Sequence, residues 1–320
     1  MEQKYSIGIG LNLFDAKAIC LRDDGKVMVS VDKQRKGVGA NETIEVLLEL
    51  FKDILNKSKK YKKQIQGVGV ALGGVVNNKK GVVYWPQQQE TSCTYIALPL
   101  KAYLEENFGF PVILANDSNA SAWAEYTTHF SRYKDLIYMF SGVGCGLILN
   151  GSLYKGNDGG AGELFLNNKA ATDSHLGGFS FLSQWPIDLG MVSLAKEQIS
   201  LGQNTSLVKK ITSTGDLALS DIFKESKKND KVSKEVIEKG ASALGVKISY
   251  LVNLLNPKVV IIGGGLEEAG TLFLDTCSNV IKKVAFSEMK KNLKISFSKL
   301  GRDATSQGVA LLVFQEKTLQ

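Results

Sequence analysis

The sequence predicts an α/β protein of two similar lobes around a cleft. Three observations carry this. Groups of apolar strands alternate with helix-patterned segments twice along the chain. Several buried strands run directly into glycines or into Asn-Asp. The 320 residues suffice for about two domains of ~150 residues, placed at 1–118 with about 302–320, and at 119–301.

The elements follow in order. Ser6–Leu13 is an apolar strand with glycines. Ala16–Arg22 and Lys26–Val31 form a hairpin around Asp23-Asp24-Gly25. Asn41 is placed to cap a helix whose apolar positions are Ile44, Leu47, Leu48, Phe51, Ile54 and Leu55. Ile65–Val76 is a nearly continuous apolar strand, buried on both faces. Gly81–Trp85 is a short strand, and Pro99 opens a helix through Phe108. Pro111–Ala115 is a strand that ends at Asn116-Asp117, and the small-residue helix Ser118–Tyr126 follows. Leu136–Phe140 and Cys145–Leu149 are strands, with Asn150-Gly151 as a second hairpin turn.

The second half is more helical. Ser180–Leu201 carries helix pattern, interrupted near Pro186. Val236–Leu255 is a long helix ended by Asn256-Pro257, its stripe Val246, Leu251, Leu254 and Leu255 assigned to the core. Val259–Ile262 is a buried strand closed by Gly263-Gly264-Gly265. A helix over about Ala269–Val284, a strand over Leu293–Phe297 and a helix over Ala304–Gln315 complete the chain.

Composition excludes several classes. Hydrophobic residues at 44% and charged residues at 22% are ordinary for a folded domain and exclude disorder. Cys20, Cys93, Cys145 and Cys277 are scattered, with no C-x-x-C. That argues against a disulfide framework or a Cys-rich zinc site and points to a reducing, cytoplasmic compartment. The net charge of +7 is concentrated in lysines such as Lys57, Lys59, Lys60, Lys62 and Lys63 beside a helix, with few interleaved aromatics. This reads as a solvated face, not a nucleic-acid surface. No apolar run is long enough for a membrane span, and Met1–Tyr5 leads straight into a strand with no targeting segment.

Four features carry candidate chemistry. Gly142-x-Gly144-x-Gly146 lies between two strands. Without Cβ atoms its peptide N–H groups can approach an anion, although a tight turn explains the glycines equally well. Gly263-Gly264-Gly265 stands between a strand and a helix, the position of a nucleotide contact or of a turn. Asp117, at a strand end, suits proton abstraction from a hydroxyl, or with Asn116 it caps the next helix. Glu163 follows Gly159-Gly160-Ala161-Gly162 and is either a hydroxyl-binding acid or a surface residue. His129 and His175 have no ligand-type residue at metal-binding spacing and read as structural or exposed.

Taken in order, Gly67–Val76 with Gly81-Val82-Val83, Leu98-Pro99-Leu100, Asn116-Asp117-Ser118-Asn119-Ala120, Ser141–Gly146, Ala161-Gly162-Glu163 and Asn256–Gly265 resemble the ROK family of repressors, open reading frames and sugar kinases. The resemblance implies the actin/hexokinase-like (ribonuclease H-like) fold closing over ATP and sugar. It implies that Asp117 is the general base of an ATP-dependent sugar kinase acting on a hexose or amino-sugar hydroxyl. Asn116, Glu163 and Gly74 would hold the sugar. Gly142, Gly144 and Gly146 would line the phosphates, and Gly264 and Gly265 the adenosine. ATP and Mg²⁺ are the implied cofactors, a homodimer the implied assembly.

The departures carry a second reading. Where the family's first strand has Asp-x-Gly-Gly-Thr, this chain has Gly10-Leu11-Asn12-Leu13-Phe14, without the acid. Leu166 replaces the His after the Glu-x-Gly tripeptide, residues 167–185 contain no Cys of the family's zinc loop, and Gly73 and Asn77 replace the turn's Pro and Asp. A structural zinc is therefore not expected. The second reading is a non-catalytic member, a sugar-sensing regulator domain or pseudokinase with impaired ATP binding. No helix-turn-helix precedes Tyr5, so nucleic-acid binding by this chain alone is not expected.

Overall fold

The computed structural model describes residues 2–12, 16–34, 39–88, 93–164 and 187–318. Leu13, Phe14, Leu166, His175, the segment 167–185 and the expected helix before Pro186 lie outside them. The chain forms two compact units. Unit 1 comprises Met1–Tyr138, Cys145–Glu163 and Lys299–Gln320; unit 2 comprises Met139–Gly144 and Leu164–Ser298. Residues 119–138 thus cluster with unit 1.

Unit 1 is built on a five-stranded sheet. Strands β1 (Tyr5–Leu11), β2 (Ala16–Arg22) and β3 (Val27–Lys33) form an antiparallel meander, and β4 (Ile65–Leu72) and β8 (Val112–Asn116) extend it in parallel, giving the order β3-β2-β1-β4-β8. The period-2 alternation of β1 decides what covers each face. Its odd residues Tyr5, Ile7, Ile9 and Leu11 pack with Leu47, Leu50, Phe51 and Ile54 of helix α1 (Ala40–Lys57). Each such side chain contributes about 1.5–3 kcal/mol on burial. Its even residues Ser6, Gly8 and Gly10 meet α10 (Ala304–Thr318), where the Ser6 hydroxyl donates to the Ala310 carbonyl at 2.9 Å. Glycine is needed here, since a Cβ at Gly8 would lie 2.0 Å from the Ser306 carbonyl oxygen, and one at Gly69 of β4 would lie 2.4 Å from that of Val309.

A three-stranded antiparallel sheet of β5 (Val75–Asn77), β6 (Val82–Gln88) and β7 (Cys93–Leu98) is inserted before α2 (Leu100–Phe108). Helix α3 (Asp117–Glu125) follows β8 and runs on into a π-helical turn, Tyr126–Phe130, that exposes His129. Strand β9 (Leu136–Phe140) carries the division between the units within it. Strands β10 (Gly144–Leu149) and β11 (Ser152–Tyr154) form a hairpin, turned by Asn150 and Gly151 with φ of 53° and 78°.

Unit 2 gathers helices around a long central one. Helices α4 (Ile187–Ser200), α5 (Leu207–Thr214) and α6 (Leu219–Lys227) lead to α7 (Lys231–Leu255), which packs on α4, α6 and α8 (Thr271–Val284). The Asp230 carboxylate caps α7 by accepting from Ser233 N at 2.8 Å, and it also accepts from Ser206 N and the Thr205 hydroxyl. Asn256, in the left-handed region at φ 48°, ends the helix before Pro257. Strand β12 (Val259–Gly263) pairs in parallel with β13 (Lys294–Phe297), and the four-residue α9 (Ser287–Lys290) lies between α8 and β13. No helix among the described residues is long and apolar enough to cross a membrane. Cys20, Cys145 and Cys277 are buried free thiols; burial pushes the last two up to about 12.

Several expectations need correction. Asn41 does not cap α1; the helix begins at Ala40 with Gly39 in the cap position, and the Thr43 hydroxyl donates to the Gly39 carbonyl. The strand Ile65–Val76 breaks at Gly73-Gly74, where Gly74 takes φ 95°. The stripe assigned to the core of α7 is out of phase. Val246 and Leu254 are exposed together with Tyr250, one helical turn apart, whereas Leu244, Lys247, Ile248 and Leu251 are buried. Gly263-Gly264-Gly265 does not open an α-helix; a short 3₁₀ turn, Leu266–Ala269, intervenes before α8.

Candidate functional site

In unit 1, four of the sequence-predicted residues meet where β8 becomes α3. The backbone changes from extended at Asn116 to helical at Asp117, and Asn116 is the helix cap: its side-chain oxygen accepts from Ser118 N at 2.9 Å and Asn119 N at 3.2 Å. Its amide nitrogen donates to the Gly74 carbonyl at 3.1 Å and to Glu163 Oε1 at 3.4 Å. Asn116 is therefore the cap that the sequence offered and also a cross-link from α3 to Gly74 and Glu163. Asp117 is 7% exposed, and its Oδ1 accepts from Ser118 N at 2.7 Å and from the Ser118 hydroxyl at 3.3 Å. The positive end of the α3 dipole favours negative charge at this position. Gly73 adjoins the other carboxylate oxygen: a Cβ there would lie 3.7 Å from Asp117 Oδ2.

Glu163 is the second carboxylate of the cluster. Crowding by protein atoms, and behind it the Asp117 charge, pushes its carboxyl up to about 7. The residue nonetheless keeps exposed surface, and water on that face moderates both effects. Glu163 is thus able to hold a proton near neutrality. A cavity of about 270 Å³ adjoins Asn116, lined by Asn78, Asn119, Lys155 and Glu316 among others. Asn119 is 4% exposed, and its side-chain carbonyl has no hydrogen-bond partner among the described residues.

In unit 2 a second cluster joins the glycine segments. Ser141 and Gly142 take φ of 47° and 76°, Gly264 and Gly265 φ of 71° and 89°. The Ser141 hydroxyl donates to the Gly264 carbonyl at 2.7 Å, and a Cβ on Gly264 would come within 2.8 Å of that hydroxyl oxygen. Gly265 N donates to Glu267 Oε2 at 3.1 Å. Gly144 opens β10 and is buried. Gly146 has a packing reason of its own: its α-carbon abuts α3, where a Cβ would lie 2.3 Å from the Ser118 carbonyl oxygen and 2.4 Å from Ala122 Cβ. Its glycine is demanded by helix packing.

Sequence reasoning did not single out Ser141, Asn119 or Lys247. The first two stand beside motif residues, but nothing in their type marks a contact. Lys247 had a readable signal: a lysine between Leu244, Ile248 and Leu251 on the helical period of the buried face. Its ammonium donates to the Gly142 carbonyl at 3.1 Å, and burial pushes its pKa down. Among the described residues no group of three His, Cys, Asp or Glu gathers to hold a metal.

A model of the ROK family matches residues 5–165 and 198–316. The chain is 28% identical over 284 residues to the xylose repressor of Caldicellulosiruptor bescii, spanning 86% of this chain and 70% of that protein. It is 25% identical over 327 aligned positions to a glucokinase of Halalkalibacterium halodurans, spanning 99% of this chain and 97% of that one. The crystal structure of a ROK family glucokinase from Streptomyces griseus in complex with glucose and AMPPNP superposes with a TM-score of 0.79 at 22% identity, over 97% of this chain and 99% of that one. A ROK family transcriptional regulator, a homolog of the Escherichia coli MLC protein, superposes with a TM-score of 0.73 at 22% identity, over 97% and 78%. The fold is the mixed α/β, actin/hexokinase-like fold of these proteins. A xylose repressor and a glucokinase thus match at similar identity.

Proposed function

The chain belongs to the ROK family, and from that premise we propose that it is an ATP-dependent sugar kinase acting on a hydroxyl of a hexose or amino sugar. The observation that carries the reading is the Asn116–Asp117–Glu163 cluster. It sets a buried carboxylate at the start of α3 beside an amide and an acid of raised pKa. In this reading Asn116, Glu163 and the Gly74 backbone hold the sugar. Asp117 takes the hydroxyl proton as that oxygen bonds to the γ-phosphorus, and ADP leaves with the electrons of the broken P–O bond. Such transfer rests on positioning and charge neutralisation more than on covalent chemistry. Gly142, Gly144, Gly264 and Gly265 are the candidates to hold the nucleotide, and the left-handed backbone of Gly142, Gly264 and Gly265 supports this. Mg²⁺ would arrive on the phosphates, held by their oxygens and one or two carboxylates while it keeps several waters. It would neutralise their charge.

ADP release across a panel of hexoses and amino sugars tests the proposal, with Asp117→Asn as control. Turnover with at least one sugar, and a loss of at least about 100-fold in the variant, is expected of a lost general base. Absence of turnover with every sugar overturns the proposal, as does an unaffected variant. The homodimer and a cytoplasmic location belong to the same reading; light scattering of the purified chain checks the first.

One observation favours the second reading, a non-catalytic, sugar-sensing member. The end of β1 offers no acid, and Gly10 there is used for packing, since a Cβ would lie 2.9 Å from Ser306 N. Calorimetry separates the two. Sugar binding with no ADP or ATP binding selects the sensor; Mg-ATP binding selects the kinase.

A further inference from the structure

Unit 2 buries a cation that the proposed chemistry has not yet used. Lys247 is 5% exposed. Its ammonium carries three donors, and its one hydrogen bond among the described residues goes to a neutral acceptor, the Gly142 carbonyl, at 3.1 Å. No carboxylate lies within ion-pair distance of it among the described residues, and no neighbouring charge offsets its burial. Its companions on the buried face of α7 are Leu244, Ile248 and Leu251. A buried ammonium in such surroundings is costly to keep and calls for an anion.

The same place presents donors in need of an acceptor. Gly142 and Gly264 both sit in the left-handed region, held together by the Ser141 hydroxyl on the Gly264 carbonyl. Among the described residues neither Gly142 N–H nor Gly264 N–H donates a hydrogen bond. The loop carbonyls are thus engaged from the protein side, by Lys247 and by Ser141, while among the described residues the two peptide donors meet no acceptor. Paired peptide donors backed by a positive charge form a site for a compact anion.

We propose that Lys247 is the counter-charge of a phosphate site: its ammonium, behind Gly142, supplies the positive charge for a phosphate group held by the Gly142 and Gly264 N–H groups. The inference rests on the reading of this loop as the nucleotide site and adds the residue that discriminates the charged part of the ligand. Lys247 is a positioning residue whose charge acts across the Gly142 peptide without touching the ligand. It offers one way for the chain to hold phosphates although the end of β1 contributes no acid.

Calorimetric titration of the full chain with Mg-ADP, adenosine and inorganic pyrophosphate tests it, for the wild type, Lys247→Met and Lys247→Gln. Methionine keeps the length and removes the charge; glutamine also keeps a donor for the Gly142 carbonyl. Both variants are expected to bind Mg-ADP about 10- to 100-fold more weakly, the range for a lost charge-assisted contact, with adenosine affinity unchanged. Lys247→Met is expected to melt no lower than the wild type. Recovery of Mg-ADP affinity by Lys247→Gln, or Mg-ADP affinity unchanged in both variants, overturns the counter-charge role and leaves the nucleotide reading intact. A wild type that binds neither Mg-ADP nor adenosine overturns the nucleotide reading. Pyrophosphate binding that both variants lose would then still support the anion site, and pyrophosphate ignored by the wild type would overturn it as well.

Discussion

The glycines of unit 1 and those of unit 2 look alike in sequence and are put to opposite uses. Gly8, Gly10 and Gly69 let α10 lie directly on the sheet, and Gly308 of α10 lets that helix touch α3, where a Cβ would fall 1.8 Å from the Ala120 carbonyl oxygen. These glycines are filled by protein. Gly142 and Gly264 instead adopt left-handed backbone and are pinned by Ser141 and Lys247; a Cβ on Gly264 would also meet protein, the Ser141 hydroxyl at 2.8 Å, but the N–H groups of both glycines are unengaged by the described residues. A glycine in sequence announces a close approach. Whether a helix or a ligand makes the approach depends on which element the fold brings over it.

The sharpest way to break this contrast is to fill one glycine of each kind. Gly308→Ala should cost the fold most, about 3 kcal/mol or more, because the new methyl meets the Ala120 backbone of α3 head-on. Chemical denaturation measures this, and a loss under about 1 kcal/mol would erase the distinction drawn for unit 1. Gly264→Ala should cost less, about 1–2 kcal/mol for a left-handed alanine, yet should remove most Mg-ADP affinity while sugar binding stays. Equal stability losses in the two variants, with nucleotide binding preserved, would make the loop glycines structural as well. Ser141→Ala removes one hydrogen bond and should cost about 1 kcal/mol, read as a small drop in melting temperature and a modest weakening of Mg-ADP binding.

The smallest effect concerns charge. The Glu163 carboxyl is raised from 4.5 to about 7, so between these values the folded chain holds a proton that the unfolded chain has released. Its contribution to stability therefore falls as pH rises through that window and levels off above it. Glu163→Gln should flatten that part of the pH–melting profile and melt slightly higher than the wild type at pH 8, with no gain at pH 4. Asp117→Asn should lower the Glu163 titration only partly, because crowding is the larger cause. A full return to the ordinary carboxylate range would reverse that ranking.

Much of this architecture is legible along the chain, for reasons that are local. The hairpin at Asn150-Gly151, the break at Asn256-Pro257 and the alternation of β1 each follow from neighbouring residues, and β9 coincides with its expected span, Leu136–Phe140. Asn116-Asp117 at a strand end identified the acid cluster because the strand, the cap and the acid adjoin. What was illegible depends on distant partners. The helical period of α7 was recognised but its phase was not, because α4, α6 and α8 decide which side is buried. Gly146 was grouped with the loop glycines because nothing nearby announces that α3 lies across it. Lys247 could be read only once Gly142 was known to stand opposite it.

The seat of α10 on β1 has a temporal consequence. The Ser6 hydroxyl and the Ala310 carbonyl that it meets are 304 residues apart. At about 5–20 residues per second of synthesis, the glycine face of β1 waits roughly 15–60 s before its cover exists. The same helix braces α3 through Ser121 and Thr305 at 2.9 Å. The carboxylate on the first turn of α3 therefore gains its final support only once Thr305 has been translated. An incomplete nascent chain has the motif without the machine, and its bare strand face is the surface a ribosome-associated chaperone would meet.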